Sequence, residues 1–363
     1  MKKTIKYENK KVLVIGLAKS GKAAARLLRE LKANVVINDR NSLEDNPDAV
    51  EMMAEGFEVV TGGHPLELLD QGFDLIVKNP GIPYRKVPLL MEAIKRKIPI
   101  LTEVQLAYDV SEAPFIGITA TNGKTTTTTL IYEMLEEDQL KPLIAGNIGE
   151  VASLVAQQAS KEQVLVTELS SFQLMGIDSF TPQISLLLNI TEAHLDYHTD
   201  IDEYRQAKLN LIANQTADQF CVYNAEDEVI VNGLSRTKAT CVPFSLTSVV
   251  DGAYLSEGDV YFKDEKIIDI ESILLKGDHN LQDVLGAVAV SKLYGCDTEA
   301  IKRVLKRFVG VKHRLQYVDE VNGVKYYNNS KATNVIATQT ALKAFEDSII
   351  LLAGGLDRQH DLS

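Results

Sequence analysis

Short apolar runs alternate with amphipathic stretches almost from the start of the chain. VLVIGL (12–17) reads as a buried strand, and KSGKAAARLLRELK (19–32) as a helix with its apolar face at Ala23, Leu27, Leu28 and Leu31. VVIND (35–39), FEVV (57–60) and DLIVKNPG (74–81) continue the strand pattern. Such alternation predicts a parallel sheet covered by helices. A polar, proline-containing joint at VSEAPFIGIT (110–119) marks a restart, with FIGIT as a fresh buried strand. A long helix comes next, from 124 to about 137, then strands at PLIAG (142–146), VLVTEL (164–169), ISLLLNI (184–190) and FCVYNA (220–225). Between 240 and 275 the runs shorten. CVPFSL, AYLSE, VYFKD and KIIDI read there as small antiparallel strands. Two helices are expected around 280–294 and 298–308.

A third unit starts near Gly310. Asn322-Gly323 between two β-type runs predicts a hairpin, followed by a helix near 333–345 and a strand at SIILLAGG (348–355). One hairpin, one helix and one strand do not bury both faces of a sheet, so this unit is expected to be incomplete. The chain's 363 residues agree with two or three domains, and 45% hydrophobic residues can supply their cores.

A net charge of −12 argues against nucleic acid as a partner, because phosphate backbones call for clustered Lys and Arg. A small phosphorylated ligand stays compatible, since a local nest of backbone N–H groups overrules global charge. Cys221, Cys241 and Cys296 lack metal-type spacing and read as thiols in a reducing compartment. The opening MKKTIKYENK leads into a strand too short for a signal-peptide core, and no run reaches membrane-spanning length. A cytoplasmic protein without a membrane partner is expected.

The candidate chemistry begins at ITATNGKTTTTTL (118–130), a strand end followed by Gly-Lys-Thr and a helix. N–H groups at a helix N-terminus carry partial positive charge and cradle phosphate. Lys124 would reach the outer phosphates and Thr125 would hold Mg²⁺. The strict G-x-x-x-x-G-K-[ST] spacing is not met, because Gly117 sits one residue early and position 118 is Ile. An ordinary strand–turn–helix stays open as the alternative. Glu168 ends a predicted strand, His194 comes after another, and Lys208 lies on a helix. In the first unit, GLAKSG (16–21) links a strand to a helix, with Ala18 where a dinucleotide fingerprint has glycine, and Asp39 and Arg40 end the second strand.

GITATNGKTTT, GNIG (146–149), ELSSFQL (168–174), NITEAHLDYH (189–198), YRQAKLNL (204–211), His279-Asn280, VKHRLQ (311–316) and NNSKATN (328–334) together resemble the ATP-dependent Mur ligases of peptidoglycan synthesis. Within that family their order and spacing resemble the branch that adds D-glutamate to UDP-N-acetylmuramoyl-L-alanine. The resemblance covers essentially the whole chain. It implies an α/β fold in three domains. These are a Rossmann-like UDP-binding domain (1–110), a central P-loop ATPase-type domain (111–310) and an incomplete Rossmann-like amino-acid-binding domain (311–363).

The resemblance also implies a monomer that uses ATP and two Mg²⁺ ions, and it carries residue roles. Thr121, Asn122, Gly123, Lys124, Thr125, Thr126, Asp283, Arg314 and Asn329 match ATP-binding positions. Thr125, Glu168, His194 and Lys208 match metal-site positions, with Lys208 the lysine that the family carbamylates. Lys124, His194, Lys208 and Lys331 match the catalytic set. Ala18, Lys19, Ser20, Asp39, Arg40, Asn79, Gly81, Asn147, Ser170 and Gln173 match the UDP-substrate side, and Lys331 and Arg358 the incoming amino acid. Three positions depart from the family pattern: Ala120 replaces glycine, Asn329 replaces aspartate and Asp283 replaces asparagine. If position 120 requires positive φ, its methyl group is costly. Sister Mur ligases and folylpolyglutamate synthetase are alternatives within this chemistry. An NAD-dependent oxidoreductase and a UDP-sugar-binding fragment without turnover are alternatives outside it. The missing middle glycine and the second phosphate loop argue against the oxidoreductase.

Overall fold

The computed structural model describes residues 1–275, 277–311, 316–330, 332, 335–342, 345 and 348–354. Its first unit runs β1 (Lys11–Ile15), α1 (Lys19–Glu30), β2 (Asn34–Asn38), α2 (Pro47–Ala54), β3 (Glu58–Val60), β4 (Leu75–Lys78), α3 (Pro88–Lys95) and β5 (Ile100–Leu101). The strands form one parallel sheet in the order β3-β2-β1-β4-β5. The near-continuous apolar run of β1 results from burial on both faces.

α4 (Glu103–Val110) then leads into the second unit, and Val104, Leu106, Ala107 and Val110 are fully buried. The second unit continues β6 (Phe115–Thr119), α5 (Lys124–Glu137), β7 (Pro142–Gly146), α6 (Ala152–Gln158), β8 (Val164–Glu168), α7 (Ser171–Leu174), β9 (Ile184–Leu187), α8 (Ile201–Ala213), β10 (Phe220–Asn224), α9 (Glu228–Gly233), β11 (Thr240–Ser245), β12 (Ala253–Ser256), β13 (Asp259–Phe262) and β14 (Glu265–Asp269). α10 (Asp278–Tyr294) and α11 (Thr298–Leu305) pack on α5 over one face of the sheet. The sheet has nine strands in the order β14-β13-β12-β11-β10-β9-β6-β8-β7.

α4 joins the two sheets. It packs against α1 and, across the junction, against α6, so one core is continuous between them. Tyr108, Phe115 and Phe180 meet there, with ring centroids 5.3–6.0 Å apart.

The structure corrects the expectation of small antiparallel strands from 240 onward. CVPFSL forms β11, which pairs parallel with β10, and β12 also joins β11 in parallel. Within this segment β13 pairs antiparallel with both β12 and β14, and these strands extend the same sheet. Short runs with turn signals resemble hairpins, yet pairing direction is set by the strand next door rather than by length.

The hairpin of β15 (Gln316–Val321) and β16 (Val324–Asn328) is present, with Asn322 and Gly323 both at positive φ, as a type I′ turn requires. α12 (Val335–Leu342) comes after it. The strand expected at SIILLAGG is not formed over residues 348–354, where Ile350 and Leu352 are almost fully exposed. The hairpin forms a two-stranded sheet of its own, so among the described residues this β-prone run finds no ladder to join. Gly355 lies outside the described residues.

Candidate active site at the ends of β6, β8 and β9

The central sheet reverses its order around β6. After β6 the chain crosses to β7 and β8 on one side, then to β9 on the other. Ligand crevices of open parallel sheets lie at the carboxyl ends of strands beside such a reversal. The loop from Ala120 to Gly123 sits there and opens α5. Gly123 caps the helix at φ +83°, and a Cβ on it would lie 2.1 Å from Asp283 Oδ1. Ala120 is fully buried and is not among the residues with positive φ, so a methyl penalty does not arise there.

Asn189, just beyond β9, clamps the loop. Its Oδ1 accepts from Thr121 N (3.1 Å) and Asn122 N (2.9 Å), and its Nδ2 donates to Asn122 O (3.1 Å). Thr121 Oγ1 accepts from Thr191 N at 3.0 Å and lies 2.9 Å from Tyr204 Oη. The threonine run settles locally. Thr126, Thr127 and Thr128 are buried, and Thr127 and Thr129 bond back to carbonyls one turn earlier.

Two lysines converge on one carbonyl. Lys124 Nζ donates to Ala120 O at 2.7 Å and to Thr121 O at 3.0 Å. Lys208 Nζ, projecting from α8, donates to the same Ala120 O at 2.6 Å. Lys208 is only 1% exposed. Burial pushes its pKa well below the ordinary lysine value, Lys124 adds to that shift, and Glu168 opposes it. Glu168 ends β8, also 1% exposed. Asn147 Nδ2 fixes its Oε1 at 2.7 Å, while Oε2 is buried with no hydrogen-bond partner. A buried, unpartnered carboxylate oxygen fits a cation ligand. Among the described residues, no three His, Cys, Asp or Glu side chains converge as a complete metal site. His194 opens a turn at φ +58°, with its ring 5.1 Å from that of Phe172 and 6.2 Å from that of Tyr204.

The first sheet builds a second turn. GLAKSG bends between β1 and α1, with Ala18 at the N-cap, Lys19 opening the helix and Ser20 behind it. A Cβ on Gly21 would lie 1.8 Å from Gly16 O, so the helix approaches the strand as closely as in a dinucleotide fingerprint despite Ala18. Asp39 Oδ2 accepts from Leu17 N (2.9 Å) and Oδ1 from Asn41 N (3.0 Å), and the neighbouring Arg40 is exposed. Asn79 Nδ2 donates to Ser20 Oγ (3.0 Å), and its Oδ1 accepts from Gly81 N (3.0 Å). Ser170 and Gln173 form a capping box on α7, which occupies Gln173 Oε1 locally. Asp283 is buried beside Gly123, and Asn329 lies just past β16. Arg314, Lys331 and Arg358 fall outside the described residues. Sequence reasoning missed Asn189, Tyr204 and Lys78, although Asn189 opens the NITEAH run and Tyr204 opens YRQAKLNL.

Residues 10–102 match the Mur ligase MurD-like N-terminal domain, and residues 118–291 match the Mur ligase middle domain. A UDP-N-acetylmuramoylalanine–D-glutamate ligase of Geobacillus sp. (strain WCH70) is 55% identical over 99% of this chain and 80% of its own length. One from Bacillus cereus (strain G9842) is 54% identical with the same coverage. Among solved structures, a murein peptide ligase from Psychrobacter arcticus superposes with TM-score 0.56 at 17% identity, over 92% of this chain and 75% of that one. Escherichia coli FolC, in complex with DHPP and ADP, gives TM-score 0.53 at 14% identity, over 74% and 76%. These distant structures share the fold, and the close relatives fix the lineage. The chain belongs to the Mur ligase family, in its UDP-N-acetylmuramoylalanine–D-glutamate ligase branch.

Proposed function

We propose that this chain acts in the cytoplasm as a monomer, joining D-glutamate to UDP-N-acetylmuramoyl-L-alanine with ATP for peptidoglycan precursor synthesis. ATP phosphorylates the alanyl carboxylate. The amine of D-glutamate then attacks the acyl phosphate, forming the amide and releasing phosphate. The observation that carries this reading is the cluster of Lys124, Lys208 and Glu168 at the carboxyl edge of β6 and β8.

The reaction brings a triphosphate and a carboxylate together, so the site must supply positive charge in a dry, fixed frame. The first turn of α5 presents N–H groups of Lys124, Thr125 and Thr126 to phosphate, beside Thr121, Asn122 and Gly123. Lys124 adds a cation beside them. In this reading the GLAKSG turn, with Asp39, Asn79 and Gly81, would seat uridine diphosphate, and Asn147, bonded to Glu168, would meet the muramoyl-alanine half of the substrate. Mg²⁺ would neutralise phosphate charge, held by Glu168 and Thr125 with His194 serving a second ion. In this assignment the residues outside the described set, Arg314, Lys331 and Arg358, serve ATP and the incoming amino acid.

Carbamylation of Lys208 belongs to the same proposal. Two ammonium groups on one carbonyl repel each other, and a carbamate would convert that repulsion into attraction toward Lys124. Its formation needs a neutral amine, which burial favours. Labelled bicarbonate should give a carbamate carbon resonance in the wild type that is lost in Lys208→Ala. A wild-type spectrum without it refutes the modification. D-glutamate-dependent phosphate release tests the reaction itself. Equal release with and without D-glutamate rejects it.

A further inference from the structure

Lys78 closes β4 and is 1% exposed, yet among the described residues no carboxylate lies within ion-pair distance of it. Its Nζ donates instead to Ile82 O (2.9 Å), Asn79 O (3.3 Å) and Pro80 O (3.3 Å). Its ammonium also lies 4.4 Å from the centre of the Tyr84 ring, and its remaining hydrogen bond goes to Tyr197 Oη at 2.9 Å, which belongs to the second unit. Tyr197 Oη in turn lies 2.7 Å from Pro80 O and 3.0 Å from Ile82 O. A buried ammonium is costly unless its donors are satisfied, and oxygens around the 79–82 turn satisfy them. Burial alone would pull the Lys78 pKa down to about 7.

The far side of Tyr197 is equally engaged. Its ring stacks on Phe172 with centroids 3.9 Å apart, and Phe172 lies in α7, close in sequence to Glu168. Tyr197 N donates to His194 O at 3.1 Å, which closes the turn bearing His194. One hydroxyl and one ammonium therefore join the turn that carries Asn79 and Gly81 to the turn that carries His194, 119 residues apart in sequence.

We propose that Lys78 and Tyr197 are positioning residues, a strut that holds the UDP-side turn (79–82) in register with the His194 turn. This rests on the ligase reading for its consequence, since two reacting groups bound on different sheets must meet within a fraction of an ångström. Misplacement by about 1 Å costs on the order of 100-fold in rate. Neither residue touches the reacting atoms in this arrangement. They act through the loops that do.

Lys78→Met, Tyr197→Phe and the double variant test it. Each single change should lower kcat by about 10- to 100-fold, with the KM for ATP unchanged, and the double should be no worse than the poorer single. Additive losses, or a lower melting temperature with kcat intact, overturn the strut and leave two independent packing residues. Tyr197→Phe removes one hydroxyl and keeps the Phe172 stack, so it carries the test if Lys78→Met does not fold. Hydrogen exchange gives a readout independent of turnover. Tyr197→Phe should speed exchange across residues 79–84 as well as 194–198, and a change confined to 194–198 overturns the proposal. A wild type without turnover refutes the ligase reading, while exchange still decides the strut.

Discussion

Replacing Asn189 by alanine should weaken nucleotide binding without unfolding the protein. The side chain makes three hydrogen bonds to the 121–122 segment, at 3.1, 2.9 and 3.1 Å. Each is worth about 0.5–1.5 kcal/mol net. The segment is half-buried, so water recovers part of that sum, and Thr121 keeps its backbone bond to Asn189 O at 2.9 Å. A loss of about 2 kcal/mol is the reasonable figure. It falls on the ordering of the loop, so it should appear as about 30-fold weaker ADP binding, at roughly tenfold per 1.4 kcal/mol. Calorimetric titration of both proteins with Mg-ADP measures it, alongside a thermal melt. An Asn189→Ala protein that melts normally and binds ADP like the wild type would refute the clamp.

Two further outcomes come from titratable groups outside that loop. Glu103 is fully buried on α4, accepts from Ser153 N, and burial raises its pKa to about 7. The unfolded value is about 4.3, so between these pH values the native state holds the extra proton. Its contribution is complete below about 4.3 and is lost as pH rises through 7, so Glu103→Gln should flatten the melting temperature between pH 5 and 8. An unchanged slope refutes the assignment. Cys221 and Cys241 face each other in register on β10 and β11. The Cys221 hydrogen bond lowers exposed Cys241 to about 7, while buried Cys221 and Cys296 are raised. Iodoacetamide at neutral pH should therefore label Cys241 first, and peptide mass mapping that finds Cys296 equally modified contradicts this.

The parallel sheets were legible because β1, β6, β8 and β9 are apolar on both faces and cannot be solvated strands. Pairing direction at β11 was not legible, because the same six residues suit either neighbour. Lys124, Glu168 and Lys208 were found through motif order, and the structure brings them to one edge. Ser170 and Gln173 carry a local duty, the capping box, which a Ser-x-x-Gln spacing does announce. Lys78 was missed because a lysine closing a strand reads as solvated. The 79–82 turn, Tyr84 and, from the second unit, Tyr197 make it an interior residue.

The threonine run has a consequence for assembly. Five β-branched residues opening α5 give it little tendency to coil on its own. Its order comes from packing, on β6, β7 and β8 beneath it and on α10 and α11, chain segments more than a hundred residues later. A nascent chain that ends after β11 thus holds every residue of the 120–126 loop but lacks the α10 and α11 part of the surface that residues 124–137 pack on. Residues 278–305 thus complete, from far along the chain, the packing around the helix that opens at the phosphate loop.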